Sequence, residues 1–212
     1  MEKATRDFFD KRGPIVVKNL QKHHFEAYDC STKAEALEQV LALMPEGSTV
    51  GWGGAISAAQ VGVQEAVHAG DYKVIDRDQF SDPAEKLRCM RECFNADFFI
   101  TGANAISMDG QMVNIDGNGN RVGMIVYGPK NIIVVAGMNK VCATIEDAVK
   151  RARTVAAPMN QQRFSLPNPC TCTGVCGDCL TETSICNQIL ITRNCKPTGR
   201  IKFVLVGEEL GF

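Results

Sequence analysis

Short apolar segments alternate with segments of helical periodicity over the first three quarters of the chain. Residues 98–101 and 132–136 are almost entirely apolar, which is typical of strands buried on both faces of a parallel sheet. The segment 37–44 instead places apolar residues at the i, i+3, i+4 and i+7 spacing of an amphipathic helix. This alternation predicts an α/β fold, in which an open and mostly parallel sheet carries helices on both faces.

Helix starts and one turn are marked by individual residues. The pair Asp109-Gly110 between two apolar runs predicts a two-residue β-hairpin, and hence a local antiparallel element. Side-chain oxygens at helix starts accept hydrogen bonds from the free N–H groups of the first turn. Four residues of this kind are expected to cap helices: Thr32, Ser57, Asp82 and Thr144.

The composition changes after Pro158. Residues 158–187 contain three prolines, five of the ten cysteines and little periodicity, so this segment, called the cysteine-rich knob below, is expected to be irregular. Strands are predicted at 188–192 and 201–206, and both are expected to return to the main sheet. We interpret residues 1–212 as a single α/β domain that includes the knob at 158–187.

The cysteines of the knob are the most specific chemical signal in the chain. In a reducing compartment, thiols at this density are more typical of metal or cluster ligands than of disulfides. Cys170, Cys176 and Cys179 form a compact run and Cys186 lies further along, which favours a [4Fe–4S] cluster. A zinc site, which usually has two separated pairs of ligands, and a knob without metal are the alternatives. A four-ligand site leaves one of the five thiols unused.

A second candidate site lies in the loops that should follow the strands. Ligands of open α/β sheets bind at the carboxyl ends of the strands, where the glycine-rich turns at 51–54 and 116–120 are expected. Tight turns without a ligand are the alternative, because Asn and Gly are ordinary turn formers. We expect a polar site for a small-molecule anion, with Arg121 or Lys140 as the anion's partner. The candidate ligand-binding residues are Gly53, Gly54, Asn104, Asn114, Asp116, Asn120, Arg121 and Lys140.

The charge balance restricts the partners. The chain has 23 Lys and Arg residues and 24 Asp and Glu residues, and a formal net charge of −1, which argues against nucleic acid and against a polybasic membrane surface. No apolar run approaches the about 20 residues of a membrane span, and the first residues lack the apolar core of a signal peptide. These features predict a cytoplasmic protein.

Five segments, read together, resemble the LUD (lactate utilization) domain family, in particular its short form with a C-terminal cysteine motif. The longest is 96–140, which contains TGANAISMDGQMVN and DGNGNRVGMIVYGPKN. The others are GWGGAISAAQVG at 51–62, RARTVAAPMN at 151–160, the run PCTCTGVCGDC…IC at 169–186 and VLVGEELGF at 204–212. The resemblance therefore covers nearly the whole chain.

The resemblance implies both a fold and a ligand set. The fold is that of the sugar-isomerase and CoA-transferase class. The family's cysteine pattern, P-C-x5-C-x2-C-x6-C, falls on Cys170, Cys176, Cys179 and Cys186, and leaves Cys172 as the unused thiol. The chain has Asn104 where the isomerases of that class carry an acid, and an amide cannot abstract a proton. Aldose–ketose isomerisation by that mechanism is therefore not expected.

The resemblance also implies a biological role. We expect an iron–sulfur LUD-domain protein that takes part in the utilization of lactate or a similar hydroxy acid and in electron transfer, as a component of an oxidoreductase system. No catalytic residue is assigned. A homodimer and an iron–sulfur or flavin redox partner protein are the expected partners. The alternative is a small-molecule binding protein or enzyme for a sugar phosphate or CoA-like ligand, with a structural cluster or zinc in the knob.

Overall fold

The fold was analysed in a computed structural model, which describes residues 1–212. The helices are α1 (Lys3–Lys22), α2 (Lys33–Ala42), α3 (Ile56–Val61), α4 (Val63–Ala69), α5 (Pro83–Glu92), α6 (Asn120–Tyr127), α7 (Ile145–Arg151), α8 (Ala157–Gln161) and α9 (Pro169–Thr173). The strands are β1 (Glu26–Cys30), β2 (Thr49–Trp52), β3 (Lys73–Ile75), β4 (Phe98–Thr101), β5 (Ala105–Ser107), β6 (Met112–Asp116), β7 (Asn131–Gly137), β8 (Val141–Cys142), β9 (Gln188–Thr192) and β10 (Ile201–Val206).

The main sheet contains six strands in the order β1-β10-β7-β4-β2-β3, and every neighbouring pair is parallel. Helices cover both of its faces, so the predicted α/β fold is confirmed. The last strand in the chain, β10, lies between β1 and β7, where Phe203 pairs with Ala27 on one side and with Val134 on the other.

Strand β7 shows why the central segments are apolar throughout. Ile132 and Val134 point to the face covered by α1, where they join a core that includes Leu20. Ile133 and Val135 point to the opposite face, where they pack with residues of α2, α3 and α4. All four side chains are fully buried, so neither face of the strand tolerates a polar residue.

A second sheet of four strands, in the order β8-β5-β6-β9, lies beside the first. Strands β5 and β6 are antiparallel and are joined through Asp109-Gly110, as the hairpin prediction required. Ala148 and Ala152, on α7 and the π-helical turn that follows it, pack on Val113 of this sheet. The prediction that the strand at 188–192 returns to the main sheet is wrong, because β9 pairs antiparallel with β6.

The helix caps were mostly predicted correctly. The side chains of Thr32, Asp82 and Thr144 accept hydrogen bonds from the N–H groups of Glu35, Ala84 and Asp147 respectively. The expectation for Ser57 is wrong, because α3 begins one residue earlier, after Ala55, and has no side-chain cap. No helix combines the length and the hydrophobicity that crossing a membrane requires.

The cysteine-rich knob contains α8, α9 and long irregular connections. The buried Asn168 holds its two ends together, since Nδ2 donates to the carbonyl of Thr183 at 3.0 Å and Oδ1 accepts from the Thr183 hydroxyl at 2.9 Å. Asn187 ties the knob to the rest of the molecule, because its Nδ2 donates to the carbonyl of Gly117 at 3.1 Å. Residues 169–187 include no buried residue.

Candidate functional site

A cleft of about 720 Å³ lies at the carboxyl ends of the central strands of the main sheet. Gly54 follows β2, Asn104 follows β4 and Lys140 follows β7, and all three line the cleft. The knob forms another wall with residues 182–185. The cleft is therefore placed where parallel α/β sheets usually bind ligands, and the knob adds to it.

Six of the eight predicted ligand-binding residues line this cleft. They are Gly54, Asn104, Asp116, Asn120, Arg121 and Lys140. Gly53 and Asn114 are not among the lining residues. Asn114 is fully buried behind the wall, where its Nδ2 donates to the carbonyl of Gly102 at 3.0 Å. It thus supports the loop that carries Asn104.

Asn104 and Arg121 form the wall next to β6. Oδ1 of Asn104 accepts from the N–H of Ile115 at 2.8 Å and from Nη2 of Arg121 at 3.2 Å. Nη2 of Arg121 also donates to the carbonyl of Ile115. Nε of Arg121 is buried without a partner. A buried guanidinium N–H without an acceptor is costly, and an anionic ligand would relieve that cost.

Asp116 positions the helix that carries Arg121. One carboxylate oxygen, Oδ2, accepts from the backbone N–H groups of Arg121 at 2.9 Å and Val122 at 3.2 Å. These are free donors of the first turn of α6, so the carboxylate acts as a cap from outside the helix. The Asn-Gly-Asn turn at 118–120 lets the chain fold back over this carboxylate, since Gly119 adopts φ +76°.

Lys140 is the most buried charged side chain of the cleft, with 4% of its surface exposed. Its Nζ donates to Oγ of Ser57 at 3.0 Å, and this is its single hydrogen bond. Burial, together with the positive charges of Arg151 and Arg121, lowers the pKa of Lys140 to about 7. At neutral pH a large fraction of this amine is therefore uncharged.

Lys140, Arg121 and Arg151 form a group of buried cations. Burial also lowers the pKa of both guanidinium groups, although Asp116 opposes this for Arg121 and Cys142 opposes it for Arg151. None of the three cations forms an ion pair with Asp or Glu. Arg151 instead donates to the carbonyl of Asn104 at 2.6 Å. Arg121 and Lys140 thus place positive side chains in the cleft, and Asp116, which also lines it, acts on Arg121 without forming an ion pair with it.

Sequence reasoning missed several residues that line the cleft. Ser57 was expected at a helix start, and Arg77 and Lys86 belong to the edge of the sheet around β3 and α5. Arg163 enters from the knob. No local pattern marks these residues, because they reach the cleft only through the packing of elements that are distant in sequence.

Four thiols of the knob interact with one another. Burial by neighbouring atoms raises the pKa of Cys186 to about 11, and the charges of Cys176, Cys170 and Cys179 raise it further, while Arg153 acts in the opposite direction. The pKa of Cys170 is likewise raised by burial and by Cys179 and Cys176. Cys172 contributes to neither, although Cys172 and Cys186 are both at the surface.

The knob offers the donor atoms that a four-thiolate cluster needs. The four interacting thiols supply the number and type of ligands that such a cluster needs. No group of three or more His, Cys, Asp or Glu side chains is arranged to share one metal ion. Because residues 169–187 include no buried residue, their thiols can converge without displacing the core. The donor set therefore fits, although the ligands are not preassembled.

The other cysteines and the tryptophan lie in the interior or at its edge. Cys89 and Cys93 are buried, and burial raises the pKa of Cys93 to about 12. Cys30 and Cys195 are also buried, where a thiol packs as a small apolar group. Trp52 belongs to the core on the α2 side of the sheet.

Comparison with known proteins gives one clear family match. A family model described as the LUD domain matches residues 14–206, which is most of the chain. A comparison with curated proteins finds no match.

Two solved structures show distant likenesses. A DUF162 family protein from Deinococcus radiodurans is 12% identical, with a TM-score of 0.49, over 95% of this chain and 97% of that chain. The 5-methylthioribose 1-phosphate isomerase from Pyrococcus horikoshii OT3 is 17% identical, with a TM-score of 0.32, over 52% of this chain and 40% of that chain.

Proposed function

Because this chain belongs to the LUD domain family, we propose that it is an iron–sulfur protein that transfers electrons in the metabolism of lactate or a similar hydroxy acid. Family membership supports the coarser part, a role related to lactate utilization. The finer part is that a small anionic molecule binds in the cleft and that the knob holds a [4Fe–4S] cluster beside it. Both sites belong to one domain, residues 1–212.

One observation carries this proposal: the knob is a wall of the cleft. Residues 182–185 line the cleft, and Cys186 is the next residue in the chain. Gly117, at the end of β6, approaches so closely that a Cβ there would lie 3.1 Å from Cα of Ile185. A ligand in the cleft would therefore lie beside the cysteine motif, which is the arrangement that electron transfer between them requires.

The proposed cluster ligands are the four thiols of the knob that fall on the family's cysteine pattern. They are Cys170, Cys176, Cys179 and Cys186. When bound, a [4Fe–4S] cluster supplies one-electron redox chemistry. Arg153, in the π-helical turn after α7, pairs with Asp178 of the knob and places a positive charge near Cys186 that opposes the rise of its pKa. Thiols at this density are more typical of metal or cluster ligands in a reducing compartment, so the proposal includes a cytoplasmic location.

The cations of the cleft support an anionic ligand. Arg121 has an unpartnered Nε, and Lys140 uses one of the three donors of an ammonium group. A carboxylate or phosphate would satisfy these donors and balance the buried positive charge. Hydroxy acids and oxo acids carry such a carboxylate.

The surface around the knob supports a partner protein. Five large apolar side chains are exposed in and next to the knob, and Leu180 is fully exposed. The others are Val155, Met159, Phe164 and Val175. Exposed apolar patches of this kind are typical of interaction sites. We propose that a second copy in a homodimer, or an iron–sulfur or flavin redox partner, covers this surface.

Anaerobic purification followed by iron, sulfide and zinc analysis tests the cluster. We expect about four irons and four sulfides per chain and visible absorption. Cys176→Ala should remove most of the iron and the absorption, because it deletes a ligand. Cys172→Ala is the matched control in the same segment and should retain both.

The outcomes separate the alternatives. Equal loss of iron in the Cys172→Ala and Cys176→Ala variants would refute the ligand assignment. Colourless protein with one zinc per chain would refute the cluster and leave the knob as a structural zinc site.

A second candidate function is a small-molecule binding protein or enzyme with a structural metal in the knob. The observation that favours it is the cleft itself, whose volume of about 720 Å³ would admit a sugar phosphate or a CoA-like ligand. Thermal shift with lactate, sugar phosphates and CoA esters distinguishes the candidates. A ligand present at 100 times its Kd stabilises the folded state by about 2.7 kcal/mol.

A further inference from the structure

Lys140 and Ser57 form a buried amine–hydroxyl pair that opens to the cleft. The Nζ and Oγ atoms are 3.0 Å apart, and both residues line the cleft. They follow different strands of the main sheet, since Ser57 lies on α3 after β2 and Lys140 lies just after β7. The sheet therefore holds the pair rigidly, with 1% of Ser57 and 4% of Lys140 exposed.

The surroundings of Lys140 favour a reactive, uncharged amine. The charged side chains that act on it are the guanidinium groups of Arg121 on α6 and Arg151 on α7, and no Asp or Glu pairs with it. Gly211 packs against the pair, since a Cβ there would lie 3.1 Å from Nζ. Burial first, and these two cations second, lower the pKa of Lys140 to about 7 from 10.5. Lysines that form Schiff bases are activated in this way, by desolvation or by a neighbouring cation.

We propose that Lys140 forms a Schiff base with the carbonyl carbon of an anionic oxo compound bound in the cleft. The anionic group of that compound would lie against Arg121, whose side chain lines the cleft and retains an unpartnered Nε. The inference rests on the proposed anion-binding cleft and is independent of the metal in the knob. It names a covalent site and a ligand class, anionic aldehydes and ketones.

The step is balanced within the pair. The lone pair of Lys140 Nζ attacks the carbonyl carbon, and the carbonyl oxygen takes a proton from Ser57. The amine nitrogen returns one proton to the Ser57 oxygen, which gives the neutral carbinolamine. Its second proton then goes to the carbinolamine hydroxyl, which leaves as water. One C=N bond replaces one C=O bond, one water leaves, and no oxidant or reductant is needed. Ser57 is therefore the proton-transfer group, 3.0 Å from the attacking nitrogen.

Reductive trapping tests the proposal with the full-length protein. The chain is incubated with cyanoborohydride and either pyruvate or glyceraldehyde 3-phosphate, and the adduct is located by peptide mass spectrometry. The two probes distinguish a carboxylate-bearing ligand from a phosphorylated one. We expect one adduct per chain, at Lys140, with at least one of the probes.

Two variants and a pH series supply the controls. Lys140→Arg keeps the charge without the nucleophile and should reduce labelling at least tenfold, whereas Lys130→Arg, at an exposed lysine, should leave it unchanged. Ser57→Ala should slow labelling without moving its position. Labelling at Lys140 should rise on the order of tenfold between pH 6 and pH 8 and then level off, whereas ordinary lysines continue to gain reactivity toward pH 10.

Different results would refute the Schiff base at Lys140 and the proposed anion-binding cleft. Thermal shift is measured with the same two probes and without reductant. A shift with no adduct at Lys140, or with adducts spread over Lys86 and exposed lysines, would overturn the Schiff base and retain the anion-binding cleft. Neither a shift nor an adduct would overturn both, and the iron analysis would still decide the cluster.

Discussion

Asn104 connects the parts of the cleft that must keep a fixed geometry. Its side-chain oxygen holds Arg121 and the backbone of β6, and its carbonyl accepts from Arg151. Two of the three buried cations are thus fixed by one residue. The role of Asn104 in the cleft is therefore to accept hydrogen bonds that fix its neighbours.

Gly54 allows Arg121 to approach the backbone of the turn after β2. Gly54 has φ +61°, and a Cβ there would lie 2.5 Å from Nη1 of Arg121. Gly54→Ala should therefore cost about 1 kcal/mol through left-handed backbone strain and should also weaken anion binding in the cleft. Urea denaturation and titration with pyruvate measure the two effects.

The matched control for this variant is Gly47→Ala. Gly47 has φ +79° and would meet no atom within 4 Å of its Cβ. It should lose about the same stability, about 1 kcal/mol, and keep its affinity for the anion. Equal loss of affinity in both variants would show that Gly54 has no specific role in placing Arg121.

At the scale of elements, the predicted helix starts were correct where a side chain caps the first turn and wrong where no such cap forms. Thr32, Asp82 and Thr144 were predicted from side chains that compete for the first backbone N–H groups. Ser57 offered the same signal, but α3 begins at Ile56, so Ser57 lies inside the helix. Its hydroxyl then faces Lys140, a contact that depends on β7 and cannot be predicted locally.

The cap of α2 provides a test confined to one element. Oγ1 of Thr32 accepts from the N–H of Glu35 at 3.2 Å, so Thr32→Ala should lower the free energy of unfolding by about 1 kcal/mol. Chemical denaturation measures this loss. Ser31→Ala is the control, since the cap does not use that side chain, and anion binding should be unchanged in both variants. A stability of Thr32→Ala equal to that of Ser31→Ala would contradict the cap's contribution.

At the scale of the whole molecule, the α/β architecture could be predicted from the sequence, but the order of the strands within the two sheets could not. All-apolar strands such as β7 indicate burial on both faces, and the α/β class follows from that. The position of β10 between β1 and β7, and the pairing of β9 with β6, depend on contacts far apart in sequence. The lining of the cleft could not be fully predicted for the same reason, because Arg77 and Lys86 reach it from the edge of the sheet.

Global stability should depend on pH through Lys140. The unfolded chain binds a proton at this lysine up to about pH 10.4, whereas the folded chain releases it at about 7. The unfolded state therefore binds more protons in this interval, so the free energy of unfolding rises with pH. Relative to Lys140→Met, the wild type should gain about 2 kcal/mol between pH 7 and pH 9.

Urea denaturation at pH 7, 8 and 9 measures this difference. The wild-type and Lys130→Met proteins should give parallel pH curves, because Lys130 is exposed. A Lys140→Met curve parallel to these would show that the amine keeps an ordinary pKa in the folded state.

The central position of β10 has a consequence for how the protein is made. Strand β1 has β10 as its only neighbour in the main sheet, and β10 is the last strand of the chain. During synthesis, β1 and the inner face of α1 must therefore wait for residues 201–206 to leave the ribosome. Until then β7 exposes an unpaired, wholly apolar edge, which is the kind of surface that aggregates or recruits chaperones. Pairing of β1 with the main sheet thus depends on the last of the ten strands described above.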